Sequence, residues 1–195
     1  QRLALTRWRE DFTCDNWGTY LYLRDVMSNQ TWSNTYHPLR RPADIEEAIF
    51  SQGRAEYRRL LHDIECHTEI CVSPEDDVEI RRVTLNNRGR HPRYLELTSY
   101  AEVVLAPTAA DLAHRTFSNL FIATETMPQK GLVLCTRRRR SPDEAEAWYF
   151  QLLYLATGAA EASCETDRAR FLGRGRTTAN PAALDGVAGT PQPLS

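Results

Sequence analysis

VEIRRVTLNNRGRHPRYLELTSYAEVVL, residues 78–105, reads as two half-buried strands joined by a polar turn. In its second half Leu95, Leu97, Ser99, Ala101, Val103 and Leu105 fall on one face, while Tyr94, Glu96, Thr98, Tyr100, Glu102 and Val104 fall on the other. That period of two is the signature of a β-strand. One face is small and apolar; the other is wet and aromatic. Rings interleaved with carboxylates and hydroxyls suit a sugar-binding surface, and they equally suit a solvated sheet face.

The same grammar extends in both directions. Residues 19–24 alternate Tyr20 and Tyr22 with Leu21 and Leu23, and a turn at Ser28 and Asn29 returns the chain to Trp32. Residues 55–72 form a hairpin turning at His62 and Asp63, with Ile64, Cys66, Thr68, Ile70 and Val72 on one face. Pro74, Glu75, Asp76 and Asp77 break the pattern. In the next strand the apolar phase slips between Ile80 and Val83 across Arg81 and Arg82, which predicts a bulge or a strand covered on both faces. Asn86 to Gly89 supply turn chemistry, Gly89 being free to take positive φ. Residues 106–120, with alanines around Asp111 and His114, predict a helical turn or two. Strand-like runs follow at 121–126, 132–136, 148–155 and 163–171, separated by a turn at 128–131 and a loop at 141–146. Short strands at this spacing predict an antiparallel all-β sandwich or barrel. From Thr177 onward Pro181, Gly186, Gly189, Pro191 and Pro193 replace the pattern, so residues 1–176 are expected to form the domain and 177–195 a linker or flexible tail.

At 195 residues the chain is long enough for one domain with its own core. A net charge of −2 with 26% charged residues gives no global attraction to nucleic acid or anionic lipid, so no nucleic-acid partner is expected. Of the 24 basic residues Lys130 is the one lysine. Arginine's planar fork suits carboxylates, phosphates and sugar hydroxyls, although a GC-rich genome produces the same bias. Cys14, Cys66, Cys71, Cys135 and Cys164 are odd in number and lack a CxxC pair, and read as free thiols. No apolar run approaches bilayer length and no signal peptide opens the chain, so no direct membrane insertion is expected. Beginning at Gln1 inside a patterned segment, the chain reads as a piece excised from a longer polypeptide.

No nucleophile and base pattern emerges. Ser118 and Ser163 lack a G-x-S-x-G setting, and Gly173 to Arg176 lack the third glycine and βαβ context of a dinucleotide fingerprint. Glu75, Asp76 and Asp77 lack the spacing of a calcium loop and read as an acidic turn. Alternate members of the run Arg137 to Arg140 point to opposite faces, as at a solvated strand end. No cofactor and no metal are expected. Tyr20, Tyr22, Trp32, Tyr36, Tyr94 and Tyr100 have the amphipathic rings that stack on pyranoses or pack between sheets. The loop Arg7, Trp8, Arg9, Glu10, Asp11, Asp15, Trp17 combines stacking rings with charged hydrogen-bonding groups, a second place for sugar to touch.

Tyr22-Leu23-Arg24-Asp25, then Trp32-Ser33 and Pro38, residues 78–87, Leu97 to Glu102, Glu165-Thr166-Asp167-Arg168 and Phe171-Leu172-Gly173 stand in an order that resembles the N-terminal β-sandwich domain of glycoside hydrolase family 94, the cellobiose and chitobiose phosphorylases. Thr6 to Asp11, Val72 to Asp77, Ser99 to Pro107 and Phe171 to Arg176 are similar to the copies of that domain in cyclic β-1,2-glucan synthases. The likeness spans residues 3–176. The chain departs from the synthase pattern at Asn29, where glycine is usual, and through residues 149–162.

The resemblance implies an antiparallel two-sheet supersandwich, galactose mutarotase-like, in a parent that is a glycosyltransferase or glycoside phosphorylase. In that family the catalytic acid and phosphate site belong to a following (α/α)6 barrel, so this chain is expected to be a non-catalytic, carbohydrate-binding accessory domain. Its expected partners are β-1,2-glucan or another oligosaccharide and the parent's neighbouring catalytic domains, with a possible homodimer. Its expected place is the cytoplasmic side of a larger inner-membrane enzyme. The candidate sugar contacts are Arg7, Trp8, Arg9, Glu10, Asp11, Trp17, Tyr22, Arg24, Tyr100 and Glu102. Two rivals stand beside this reading: a mutarotase-like epimerase, for which His67, His114 and Glu102 are the candidates, and a purely structural dimerisation or interdomain module marked by an exposed apolar patch.

Overall fold

A computed structural model describes residues 3–8, 13, 17–139, 141–156 and 162–194. Its strands are β1 (Ala4–Thr6), β2 (Tyr20–Asp25), β3 (Gln30–Ser33), β4 (Ile45–Ser51), β5 (Arg54–Leu61), β6 (Ile64–Val72), β7 (Glu79–Asn87), β8 (Leu95–Tyr100), β9 (Val103–Ala106), β10 (Ile122–Met127), β11 (Leu132–Arg137) and β12 (Trp148–Leu152). Three short helices interrupt them, α1 (Thr108–Ala113), α2 (Arg115–Asn119) and α3 (Arg168–Leu172). The described strand pairs are antiparallel. The chain divides into one unit of Gln1–Thr19, Ala101–Gly175 and Gln192–Ser195 and a second of Tyr20–Tyr100 and Arg176–Pro191.

In the second unit the sheet β3-β2-β8 faces the meander β4-β5-β6-β7. Leu23 and Trp32 from the first sheet meet Ile64 and Cys66 from the second, with Leu61, Val83, Leu95 and Leu97 packed around them. Burial excludes water from Cys66 and pushes its thiol up to about 11. The β5–β6 turn places both His62 and Asp63 at positive φ, 52° and 63°, the two-residue geometry that matches strand twist. The guanidinium of the buried Arg59 donates to the carbonyls of Ser33 (2.6 Å), Thr35 (2.7 Å) and Arg41, fixing the loop after β3.

Four expectations fail here for local reasons. The strands within residues 78–105 do not pair with each other: β7 joins β6 and β8 joins β2, in different sheets. The register of β7 runs through Arg81 and Arg82 without a bulge. Its apolar phase slips because β7 is an edge strand exposed on both faces, Val83 alone being half-buried. Gly89 does not use positive φ; its N–H donates to Asn87 Oδ1 at 3.0 Å, so asparagine supplies the turn. The segment from Arg176 to Pro191 is part of the second unit and not a tail: Thr178 is 5% exposed, and the Gly189 N–H donates to Val26 O at 2.7 Å. At Asn29 the chain takes φ 56°, a conformation asparagine tolerates better than other side chains do.

Asp25 closes β2. Burial opposes its ionisation, but the N–H groups of Met27 (2.9 Å) and Ser28 (3.2 Å) and the Arg93 guanidinium (2.5 Å) outweigh it and hold the carboxyl below its ordinary 3.8. A depressed folded value adds stability that is present above 3.8 and lost as pH falls through the folded value. Acid denaturation followed by circular dichroism should therefore show a steeper loss below pH 4 in the wild type than in Asp25→Asn, which forfeits that stability at neutral pH.

In the first unit β1 pairs with β9, and Ala4, Val104 and Ala106 form a small core. The sheet β10-β11-β12 is tied to β9 and α2 by Arg137, which donates to Val104 O and Ser118 O, both at 3.1 Å. Arg137 is 7% exposed, so the arginine run opens on a buried tie and not on a solvated end; Arg138 and Arg139 are exposed, and Arg140 lies outside the described residues. Gly131 takes φ 61°, and a Cβ there would stand 2.5 Å from Leu153 O. Residues 163–171 are not a strand. The Asp167 side chain accepts from the N–H groups of Ala169 and Arg170 and starts α3 instead.

Candidate carbohydrate-binding site

Arg7 follows β1 and is registered by its N–H, which donates to Glu102 O at 2.7 Å. Its guanidinium takes Asp111 in a two-toothed grip, Nε to Oδ2 at 3.0 Å and Nη2 to Oδ1 at 2.8 Å. It also donates to Asn119 Oδ1 at 2.9 Å and to the carboxylate of Glu102. The second oxygen of Glu102 accepts from Arg168 Nε at 2.8 Å. Charges therefore alternate along Arg168, Glu102, Arg7 and Asp111. Burial works against the charge on Arg7, but the hydrogen bond to Asp111 and the fields of both carboxylates outweigh it and raise its pKa.

This cluster is a mount. Arg7 is 6% exposed and Asp111 4%; both oxygens of Glu102 are engaged. The next side chain along the chain, Trp8, is 58% exposed. Beside it Ala4, Thr6, Arg7, Trp8, Val104, Thr108 and Asp111 line a cavity of about 30 Å³, room for a water and too small for a sugar ring. Trp17 is half-buried, with the Arg115 guanidinium 3.7 Å from its ring centroid. An indole presented at the rim, with threonine hydroxyls and a rigid ion-pair floor behind it, can stack on the apolar face of a pyranose. Arg9, Glu10, Asp11 and Asp15 lie outside the described residues.

The other candidates are covered. Tyr22 is 0% and Arg24 1% exposed. The Tyr22 hydroxyl donates to Thr178 O at 2.8 Å, and burial pushes its pKa up. Arg24 donates to Glu96 (2.7 Å), Asn29 (2.8 Å), Val187 O (3.0 Å) and Thr190 O (3.2 Å). Tyr100, 8% exposed, lies parallel to Tyr20 with centroids 6.5 Å apart. Residues 178–190 supply main-chain partners for the polar atoms of Tyr22 and Arg24 and cover them, while of the aromatic face read from residues 94–104 Tyr100 is buried and Tyr94 is 68% exposed. As for the epimerase candidates, His67 belongs to the second unit and lies 2.9 Å from Glu56, while Glu102 is held between two arginines. Asp111, Asn119 and Arg168 are site residues beyond the sequence candidates; the lone acid in the alanine-rich α1 is the sequence signal for Asp111, and the motif Glu165-Thr166-Asp167-Arg168 the signal for Arg168.

The family model of the glycosyl hydrolase 94 supersandwich domain matches residues 1–193. The chain belongs to this family. Among similar proteins is the cyclic beta-(1,2)-glucan synthase NdvB of Rhizobium meliloti (strain 1021), 39% identical over 93% of this chain and 6% of the synthase. The N,N'-diacetylchitobiose phosphorylase of Vibrio proteolyticus is 27% identical over 93% of this chain and 22% of that enzyme. The 3-O-beta-D-glucopyranosyl-beta-D-glucuronide phosphorylase of Paenibacillus borealis is 37% identical over 40% of this chain and 10% of that enzyme. The supersandwich domain therefore spans a small fraction of the length of the relatives it matches. Its match reaches through residues 177–193, of which those up to Pro191 belong to the second unit.

Proposed function

We propose that this supersandwich domain is a carbohydrate-binding accessory domain of a larger enzyme of the cyclic β-1,2-glucan synthase kind, serving synthesis or phosphorolysis carried out by neighbouring domains on the cytoplasmic side of a membrane. The observation that carries the reading is the exposed indole of Trp8 mounted on the buried Arg7 cluster. A half-exposed tryptophan beside the β1–β9 pair is an expensive surface to leave to water, and a sugar face is a partner of matching chemistry. The similarity to a β-1,2-glucan synthase along most of the chain supports the choice of glycan.

Calorimetric titration of the chain with β-1,2-glucooligosaccharides of several lengths tests this. Binding is expected, with a loss of about tenfold or more in Trp8→Ala, in line with a stacking contribution of about 0.5–1.5 kcal/mol plus buried area, and with no change in melting temperature. Equal affinity in wild type and Trp8→Ala would remove the site. Release of glucose 1-phosphate from oligosaccharide and phosphate by the purified chain would contradict the accessory role.

A further inference from the structure

Aspartate or asparagine followed by glycine occurs once in this sequence, at Asp185-Gly186. Glycine has no Cβ to crowd its own nitrogen, so the main-chain N of Gly186 can reach the side-chain carboxyl of Asp185 more readily than the nitrogen of a residue with a side chain could. The pair sits in the segment that covers β2. Asp185 ends a single 3-10 turn, Ala182–Leu184, and its side chain is 61% exposed, with Oδ2 2.5 Å from Arg176 Nη1. Water therefore reaches the carboxyl. On one side of the Asp185–Gly186 bond the segment is pinned by Thr178 O, which accepts from the Tyr22 hydroxyl at 2.8 Å. On the other side Gly186 O accepts from Asn29 Nδ2 at 2.6 Å, Val187 O and Thr190 O accept from Arg24 Nη2, and the Gly189 N–H donates to Val26 O. Gly186 lies so close to Arg24 that even a Cβ would stand 2.0 Å from Nη2. The fit between the two anchors leaves no slack for an added atom.

We propose that Asp185 is a modification site, at which isomerisation to isoaspartate releases residues 186–190 from β2. The Gly186 nitrogen attacks Asp185 Cγ: an N–C bond forms, the carboxyl C–O bond breaks, and the amide proton leaves with that oxygen as water. Water then adds to the main-chain carbonyl carbon of the five-membered succinimide and breaks its bond to nitrogen. The chain now runs through Cγ, and the former main-chain carboxyl is free. One water leaves and one enters, so the mass is unchanged and no oxidant or cofactor is consumed. The main chain is longer by one atom, Cβ, between the anchor at Thr178 and those at Gly186, Val187 and Thr190. Their carbonyls must shift, and the buried Arg24 loses acceptors it cannot replace from water.

Storage of the chain for weeks at physiological temperature and mildly alkaline pH tests this, with an isoaspartyl carboxyl methyltransferase and labelled S-adenosylmethionine as the probe for the freed carboxyl. Label should appear on the peptide that holds Asp185, whose mass before labelling is unchanged. In the converted fraction the Gly189 amide should exchange at least about tenfold faster, as expected of a locally opened segment, and the melting temperature should fall by several degrees. Asp185→Glu keeps a carboxylate opposite Arg176 but closes only to a six-membered ring, so it should stay unlabelled and unaltered on storage. Absence of label at Asp185, under conditions where a free peptide of residues 180–190 converts, would overturn the site. Label at Asp185 with Gly189 exchange and melting unaltered, or an equal loss in stored Asp185→Glu, would overturn the release from β2.

Discussion

Replacing Arg7 with alanine should destabilise the first unit by about 3–5 kcal/mol, the loss expected when one partner is removed from a buried ion pair. The reason lies in what remains. Asp111, 4% exposed, would keep its charge with no guanidinium opposite, and Glu102 would keep Arg168 alone. For a chain of this length the loss corresponds to a fall in melting temperature of roughly 10 °C or more. Arg7→Lys retains a charge but not the paired grip on Asp111, so it should fall between the two. Thermal unfolding of Arg7→Ala, Arg7→Lys and the double variant Arg7→Ala/Asp111→Asn measures this. The double variant should recover part of the loss, since it leaves no unpaired carboxylate at residue 111. A single variant as stable as the wild type would mean that the cluster does not hold β1 to β9 and α1.

Arg24→Ala should be comparably damaging in the second unit, at about 2–4 kcal/mol, because a side chain 1% exposed surrenders Glu96, Asn29 and the carbonyls of Val187 and Thr190 together. Gly186→Ala reaches the same contact from the other side. A Cβ at Gly186 would stand 2.0 Å from Arg24 Nη2, so the guanidinium or the segment must move, at a loss of about 1–3 kcal/mol. Hydrogen exchange at the Gly189 amide, which donates to Val26 O, should quicken in both variants. If that amide exchanges as freely in the wild type, the covering of β2 and β8 by residues 178–190 is wrong.

Strands with one buried face were legible in the sequence. Residues 64–72 and 95–100 alternate because one side meets the core at Ile64, Cys66, Leu95 and Leu97. β4 was not legible: Ile45, Glu46, Glu47, Ala48, Ile49, Phe50 and Ser51 are exposed on both faces, so no burial imposes a period. β7 slipped phase for the same reason. Covering was equally invisible. Tyr22 and Arg24 carry the family motif and look like sugar contacts, but residues more than 150 positions away in sequence consume their polar atoms, and composition alone made that segment read as a tail. Trp8 was legible because a tryptophan in a charged loop has few reasons to be there; what anchors the preceding Arg7, Asp111 in α1, required the fold.

The chain's four tryptophans give four indole N–H resonances, and they separate the central claim from its rivals in one titration. Trp8 is exposed at the rim, Trp17 is stacked under Arg115, Trp32 is buried in the core and Trp148 lies on the open edge of β12. On addition of β-1,2-glucooligosaccharide the account predicts a saturable shift at Trp8, with Trp32 and Trp148 unmoved. A titration in which no indole shifts, or in which Trp148 shifts and Trp8 does not, would contradict it.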